Sequence, residues 1–314
     1  MKKSLIALAV LGASGVAMAQ SSVTLYGVAD AGVGKIEAGA PAGNDATDKT
    51  QFISGSLMNN GNSRIGVRGV EDLGGGLKAG FNFESGLDLD DGANLGSGGG
   101  FWGRAANLWL GGNWGTFKMG RSLTPSFYGA AVWELTGAAN YSVVGNTFGF
   151  VNSLRNNSQF SYKTPDFGGF SAELGYILKA DNADRSKVDM NLIYANGPIG
   201  VGLSANKTKG TSTNYAIGGK YNFGNFALAA SYANVNNEAD AKRRGFGIGG
   251  TAPFGAFALT VDLARDTKNE WTGKKYTNGL VEAKYALSKR TFVYGAFLRL
   301  DDTNNYGIGV RHNF

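Results

Sequence analysis

The chain has 314 residues, with 30 Lys and Arg against 24 Asp and Glu, 50 Gly, 5 Pro, one His and no Cys. Without Cys there is no disulfide framework, thiolate metal site or Cys nucleophile, and a dispersed net charge of +6 fits a solvated surface rather than a nucleic-acid-binding arm. The glycine carries no collagen period and is accompanied by many aromatics, which excludes a collagen helix and argues against disorder.

The N-terminus reads as an export signal. "MKK" is a basic start, "SLIALAVLGASGVAM" an apolar stretch, and Ala17-Met18-Ala19 an A-x-A cleavage site. A spanning helix needs roughly 20 apolar residues, and this stretch is shorter and rich in small residues. The expectation is a signal peptide over 1–19 and one domain over 20–314, with a charge of +4 once Lys2 and Lys3 are removed.

From there, period-2 alternation recurs along the chain. Val23, Leu25, Gly27, Ala29, Ala31 and Val33 share a face in "SVTLYGVADAGV". Leu77, Ala79, Phe81 and Phe83 alternate with Lys78, Gly80, Asn82 and Glu84. Val188, Met190, Leu192 and Tyr194 repeat the pattern, as do Tyr215, Ile217 and Tyr221, and then Phe226, Leu228, Ala230 and Tyr232. In the final "YGIGVRHNF", Tyr306, Ile308, Val310, His312 and Phe314 oppose Gly307, Gly309, Arg311 and Asn313. Such alternation predicts strands with one apolar and one polar face.

The connections alternate as well. Seven short ones (71–76, 111–115, 165–169, 196–200, 222–225, 252–255 and 287–290) are rich in the turn formers Gly, Asn, Asp and Pro. Between them lie eight mostly longer, more polar ones, at about 37–61, 86–103, 122–155, 180–186, 207–213, 234–242, 266–275 and 301–305. Together they delimit sixteen strands. No later segment reads as a spanning helix, but a closed β-barrel is the other structure that crosses a membrane. Strands of about 9–11 residues suffice. A soluble sandwich would give no reason for the long–short rhythm or for aromatics at strand ends. Tyr162, Tyr176, Tyr194, Tyr221, Tyr232, Tyr285 and Phe314 stand where an interfacial girdle belongs. The expected fold is therefore all-β, a 16-stranded antiparallel transmembrane barrel whose last strand pairs with its first.

At this point the chain resembles the general-diffusion porins of Gram-negative outer membranes, most closely the β-proteobacterial, neisserial-type branch. The matching stretches are "SSVTLYGVADAGV", "NSRIGVRGVEDLGGGLKAGFNFESG", "GNWGTFKMGR", "YKTPDFGGFSAELGY" and "GVRHNF", spread over nearly the whole chain after the signal. The resemblance implies a homotrimer in the outer membrane, among its lipid and lipopolysaccharide, with the third long loop folded into the lumen. It also implies passage of small anionic or neutral hydrophilic solutes.

That loop is 122–154, the longest connection. It carries Phe127, Tyr128, Trp133, Tyr141, Phe148 and Phe150 but a single charge, Glu134. So apolar a segment is expected to pack against something: the inner barrel wall, or alternatively a neighbouring subunit. Strand parity puts Arg64 and Arg68 opposite Ile65 and Val67, Lys118 between Phe117 and Met119, and Glu84 opposite Phe83. It also groups Arg155 with Asn157, Gln159 and Ser161. Facing lipid would cost Lys or Arg roughly 2–4 kcal/mol at the midplane, so the lumen is expected. Arg104 shares parity with Leu108 and Leu110 and needs a bulge or a loop-side position. In the family's anion-preferring members a ladder of arginines and one glutamate line the narrowest point. "NSRIG", "FWGRAAN", "SLRNNSQ" and "KAGFNFES" carry those roles onto Arg64, Arg104, Arg155 and Glu84.

An outer-membrane hydrolase is the competing class. It needs a base, and His312, the sole histidine, falls near the end of an outward-facing strand edge. Asp90-Asp91 and Asp301-Asp302 sit in connections, where solvated turn residues are expected. The Gly-rich runs lack a strand–loop–helix context for phosphate. No enzyme activity, cofactor or metal is expected. A narrow, solute-specific channel remains the alternative to a general one.

Overall fold

The alternating segments form one closed antiparallel ring. The computed structural model describes residues 22–40, 46–94, 100–151, 153–237 and 239–314, so the expected signal peptide and its cleavage site lie outside the described residues. In chain order the strands are β1 (Ser22–Lys35), β2 (Thr50–Ser54), β3 (Arg64–Gly74), β4 (Leu77–Gly86), β5 (Ala105–Gly112) and β6 (Gly115–Leu123). They continue as β7 (Arg155–Lys163), β8 (Phe170–Ile177), β9 (Lys187–Asn196), β10 (Ile199–Thr208), β11 (Asn214–Asn222) and β12 (Ala227–Asn236). The last are β13 (Lys242–Phe254), β14 (Phe257–Asn269), β15 (Thr277–Ala286), β16 (Thr291–Leu300) and β17 (Thr303–Asn313).

These seventeen segments fill sixteen positions. β1 pairs along one edge with β3 through Ser22–Val28 and with β2 through Ala31–Lys35, so β2 and β3 share a single place. From β3 onward each strand pairs with the next, and β17 returns to β1 with Val28 opposite Asn313 and Lys35 opposite Tyr306. Closure removes every open edge, the condition for strands in lipid.

Two expected connections differ. The stretch 37–61 contains β2, because "TQFIS" can pair with the far end of β1 even though its neighbours are polar. The stretch 301–305 is a two-residue turn, Asp301-Asp302. Asp301 adopts φ 53°, a conformation Asp tolerates in tight hairpins, and its carboxylate accepts Arg243 Nη2 at 2.6 Å.

One face of the ring is apolar and exposed, with Ile308 at 70%, Val23 at 67% and Leu25 at 62%. Tyr162, Tyr176, Tyr221, Tyr285 and Phe314 are exposed near strand ends, while Tyr194 and Tyr232 are half-buried. This is the outside-in distribution of a protein solvated by lipid. The buried apolar residues lie elsewhere. Ile36, Ile53 and Met58 pack with Trp133, Tyr141, Val143, Val144 and Phe148 and with Leu280, Leu298 and Leu300.

The long connection after β6 contains two short helices, Pro125–Ala131 and Val143–Phe148. Thr124 caps the first, accepting the Phe127 N–H at 3.0 Å, and Ser142 caps the second; both are favoured capping residues. The first helix packs on β9 and β10, the second on β14 to β16. The strands meet this connection with their polar parity. Ser126 N donates to Asp189 at 2.7 Å, Asn191 Nδ2 to Pro125 O at 2.7 Å and Ser204 Oγ to Ser126 O at 2.7 Å. Asn206 Nδ2 donates to Val151 O at 2.6 Å, Asn278 Nδ2 to Thr147 Oγ1 at 2.9 Å and Lys284 Nζ to Thr136 O at 2.9 Å. The contact is close enough that a Cβ on Gly202 would stand 2.0 Å from the Gly129 carbonyl oxygen. The loop backbone thus obtains its hydrogen bonds from wall side chains, as buried irregular backbone must.

Candidate functional site

Arg64 begins β3, Arg155 begins β7 and Arg104 immediately precedes β5. In an antiparallel ring alternate strands run the same way, so residues at these three starts lie at one level. Glu84 on β4 ties two of them together. Its Oε1 accepts Arg104 Nε at 2.8 Å and its Oε2 lies 3.5 Å from Arg64 Nε. Tyr26 of β1 donates to the same carboxylate at 3.0 Å. Arg155 Nε donates to the Arg104 carbonyl at 2.8 Å. Arg104 has the loop-side position its strand parity required, and its own N–H donates to Glu84 O at 3.1 Å.

Barrel closure brings in a fourth guanidinium. Arg311 on β17 pairs opposite Asp30 on β1. Asp30 is fully buried and accepts Gly61 N at 2.9 Å, Asn59 Nδ2 at 3.1 Å and Tyr294 OH at 2.6 Å. Those bonds fix the turn before β3, which in turn presents Asn60 Oδ1 to Arg311 Nη1 at 2.9 Å.

Two cavities flank this cluster. The larger, about 570 Å³, meets Arg64, Arg104, Arg155 and Arg311 together with Asn60 and Phe127. The smaller, about 300 Å³, meets Arg68, Glu84, Lys118 and Tyr128. Arg104, Arg155 and Leu123 belong to both. Two arginines, Arg104 and Arg155, therefore lie between the cavities, Arg64 and Arg311 line the larger one, and among the described residues Glu84, which lines the smaller, is the acidic side chain ion-paired with Arg64 and Arg104.

The remaining candidates fall outside the cluster's bonding. Arg68 lies over the Tyr26 ring at 5.1 Å. Lys118 pairs with Glu173 at 3.3 Å and lies 5.9 Å from the Tyr128 ring centre. Glu134 is brought to neither cavity. It is buried in the loop, accepting Thr136 N at 2.9 Å and Thr136 Oγ1 at 2.6 Å, so its charge is held by the loop's own turn.

Two points escaped the sequence reading. Ser158 takes φ 47° and the β6–β7 register shifts opposite it. Asn156 rather than Asn157 then joins Gln159, donating to its Oε1 at 2.7 Å. Arg155 reaches the cavities from the strand's start, not by the alternation that grouped it with Asn157. Arg311 was also missed as a site residue. Its parity was legible, but its place beside Arg64 depends on closure of the ring.

The family model described as Gram-negative porin matches residues 4–313. Outer membrane porin protein 32 of Delftia acidovorans is 36% identical over 346 residues, covering 99% of this chain and 93% of that protein. A major outer membrane protein P.IB of Neisseria gonorrhoeae is 34% identical over 192 residues, 58% of this chain and 50% of that one. Among solved structures, the anion-selective porin from Comamonas acidovorans superposes with a TM-score of 0.76 at 28% identity, over 94% of this chain and 100% of that one. A trimer form of OmpT from Vibrio cholerae, at 18% identity and TM-score 0.70, shares the fold. With a lipid-suited closed barrel, an arginine cluster between two cavities and a family match along almost its whole length, this chain belongs to the Gram-negative porins, outer-membrane barrels that form passive, water-filled channels for small hydrophilic solutes and ions.

Proposed function

We propose that this porin prefers anions, and that Arg64, Arg104, Arg155 and Glu84 form its constriction, with Arg68 and Lys118 on the adjoining wall. The carrying observation is the charge around the larger cavity: the guanidinia of Arg64, Arg104, Arg155 and Arg311 line it with no carboxylate among its described lining residues, and Glu84, which pairs with Arg64 and Arg104, lines the smaller cavity. Fixed positive charge in a low-dielectric channel mouth focuses its field and raises the local anion concentration. The long connection 124–154 is read as folded into the lumen, since the side chains that hold it belong to the polar face of the ring. Small anionic or neutral hydrophilic solutes would pass beside it. The named anion-selective relative supports the same reading.

The working form is read as a homotrimer exported by a signal peptide over 1–19, in contact with outer-membrane lipid and lipopolysaccharide. No catalytic role is assigned: His312 shares its Nδ1 with Thr291 Oγ1 at 2.8 Å, a structural pairing at the rim. A planar-bilayer recording in a KCl gradient tests the reading. A zero-current potential of the sign for Cl⁻ over K⁺ is expected, and the opposite sign would refute it.

A further inference from the structure

The larger cavity has a second feature that an arginine excess does not call for. Besides the guanidinia, its lining includes the apolar side chains Phe127, Phe150 and Leu154. Leu154 is 43% exposed, on a polar-lined surface where a Ser or Asn would be better solvated. Phe127 and Phe150 pack edge to face with ring centres 5.6 Å apart. Phe150 and Val151 both hold positive φ, 44° and 66°. Non-glycine residues resist that region, so the loop holds the Phe150 ring in place against local strain, a pattern that accompanies ligand clamps.

The guanidinia that line the same cavity have unused donors. Arg155 commits Nε to the Arg104 carbonyl, and Arg104 commits Nε to Glu84. The terminal amino groups of both guanidinia have no hydrogen-bond partner among the described residues. Such groups bind carboxylates in a planar, paired geometry. The cavity's volume of about 570 Å³ is that of a small-molecule site, roughly 300–1,000 Å³, and its lining combines these guanidinia with apolar side chains.

Resting on the anion-preferring reading, we propose that this cavity is a subsite for aromatic carboxylates. The carboxylate would sit on the terminal amino groups of Arg104 and Arg155, and the ring against Phe127, Phe150 and Leu154. A halide or acetate can use the arginines but gains nothing from the apolar wall. An aromatic amine has the wall but meets uncompensated positive charge.

The test uses the purified full-length protein in planar bilayers, with acetate, benzoate or 2-naphthoate added to KCl. The reading is the concentration that halves the chloride current. Naphthoate should halve it at least roughly tenfold below acetate, a ratio equivalent to about 1.4 kcal/mol, with benzoate between. Phe150→Ser should raise the naphthoate value several-fold while the acetate value moves less than about twofold. Leu154→Ser, at an exposed position where folding is not in question, should act in the same direction. Equal values for acetate and naphthoate would overturn the subsite, as would a naphthoate block unchanged in both variants. The KCl zero-current potential of the same channels reports separately on the anion preference. A chloride bias with no acetate–naphthoate difference sinks the subsite alone, and a missing bias sinks the reading beneath it.

Discussion

Gly27 and Phe314 close the barrel on each other. Gly27 N donates to Phe314 O and Phe314 N to Gly27 O, each at 3.0 Å. The Phe314 ring also fills the space over Gly27, so that a Cβ there would stand 2.2 Å from the ring and 2.6 Å from the Arg64 carbonyl oxygen. The glycine is thus what allows an aromatic to lie across the seam between first and last strands.

Gly27→Val should therefore impair closure, because one of the two obstructing groups is backbone and cannot turn aside. Overpacking of this kind destabilises by roughly 1–3 kcal/mol. Deleting Phe314 should act on the same step by removing its two hydrogen bonds to Gly27 at the end of the seam. Heat-modifiability on gels measures the folded fraction; a normal fraction in both variants would show that the seam is not limiting for assembly.

His312 should prove dispensable for conduction. It lies near the rim, bonded to Thr291 and stacked 6.5 Å from the Phe314 ring, and lines neither of the two cavities flanking the arginines. His312→Gln keeps a polar group for Thr291 and should leave single-channel conductance within about a tenth of its original value. A conductance halved by this change would place the histidine in the ion path.

How far these features were legible depends on what fixes them. Strand number and the lipid-facing parity could be read because every outer residue meets the same solvent, so the period repeats from Val23 to Val310. The level shared by Arg64, Arg104 and Arg155 was half-legible, since each follows a long connection. Local deviations were not. Ser158 breaks alternation in the middle of a strand, and nothing in "NNSQF" announces it. β2 depends on a partner in β1, and Arg311 meets Asn60 only after the ring has closed. Glu134 was counted toward the constriction because it is the loop's one charge. Its burial on Thr136 is a matter of loop conformation that composition does not encode.

Tyr141 should be an anchor of the long connection. It is fully buried and donates to Glu282 at 2.6 Å while accepting from Asn60 Nδ2 at 2.8 Å. Burial, and then the Glu282 charge, hold its hydroxyl proton far above the ordinary tyrosine range, so it remains the donor at any working pH. Tyr141→Phe leaves Glu282 with Lys284, 3.0 Å away, and strands the Asn60 amide. Losing such a buried bond should lower unfolding stability by about 1–3 kcal/mol and raise open-channel noise. Thermal melting with no change would mean the loop is held by its apolar contacts alone.

A loop-to-loop tie should respond to acid. Asp240 accepts Ser212 N at 2.8 Å and Ser212 Oγ at 2.9 Å. The backbone bond first, and then the hydroxyl, hold its carboxyl below the ordinary range. A lowered folded value means the tie is complete above the unfolded carboxylate pKa of about 3.9 and is lost as pH falls through the lower folded one. Amide exchange at Ser212 should stay protected from neutral pH down past about 4 and fail only below it. In Asp240→Asn this acid step should vanish. Protection already lost near pH 6 would contradict the tie.

The central claim is that the arginines lining the two cavities set selectivity. Unit charges about 4 Å apart interact by roughly 4 kcal/mol at an effective dielectric of 20, against about 1 kcal/mol in bulk water, so a few fixed guanidinia in a confined wall can outweigh their number. The bias must remain modest for ions to leave, and it should fade from 0.1 M to 1 M salt as the screening length falls from about 10 to about 3 Å. The most direct measurement is the zero-current potential in a KCl gradient for the original channel and for the Arg64→Gln/Arg155→Gln double variant. The account predicts a chloride-preferring potential that moves most of the way to the non-selective value in the variant. A potassium-preferring original, or a potential indifferent to the double change, would contradict it.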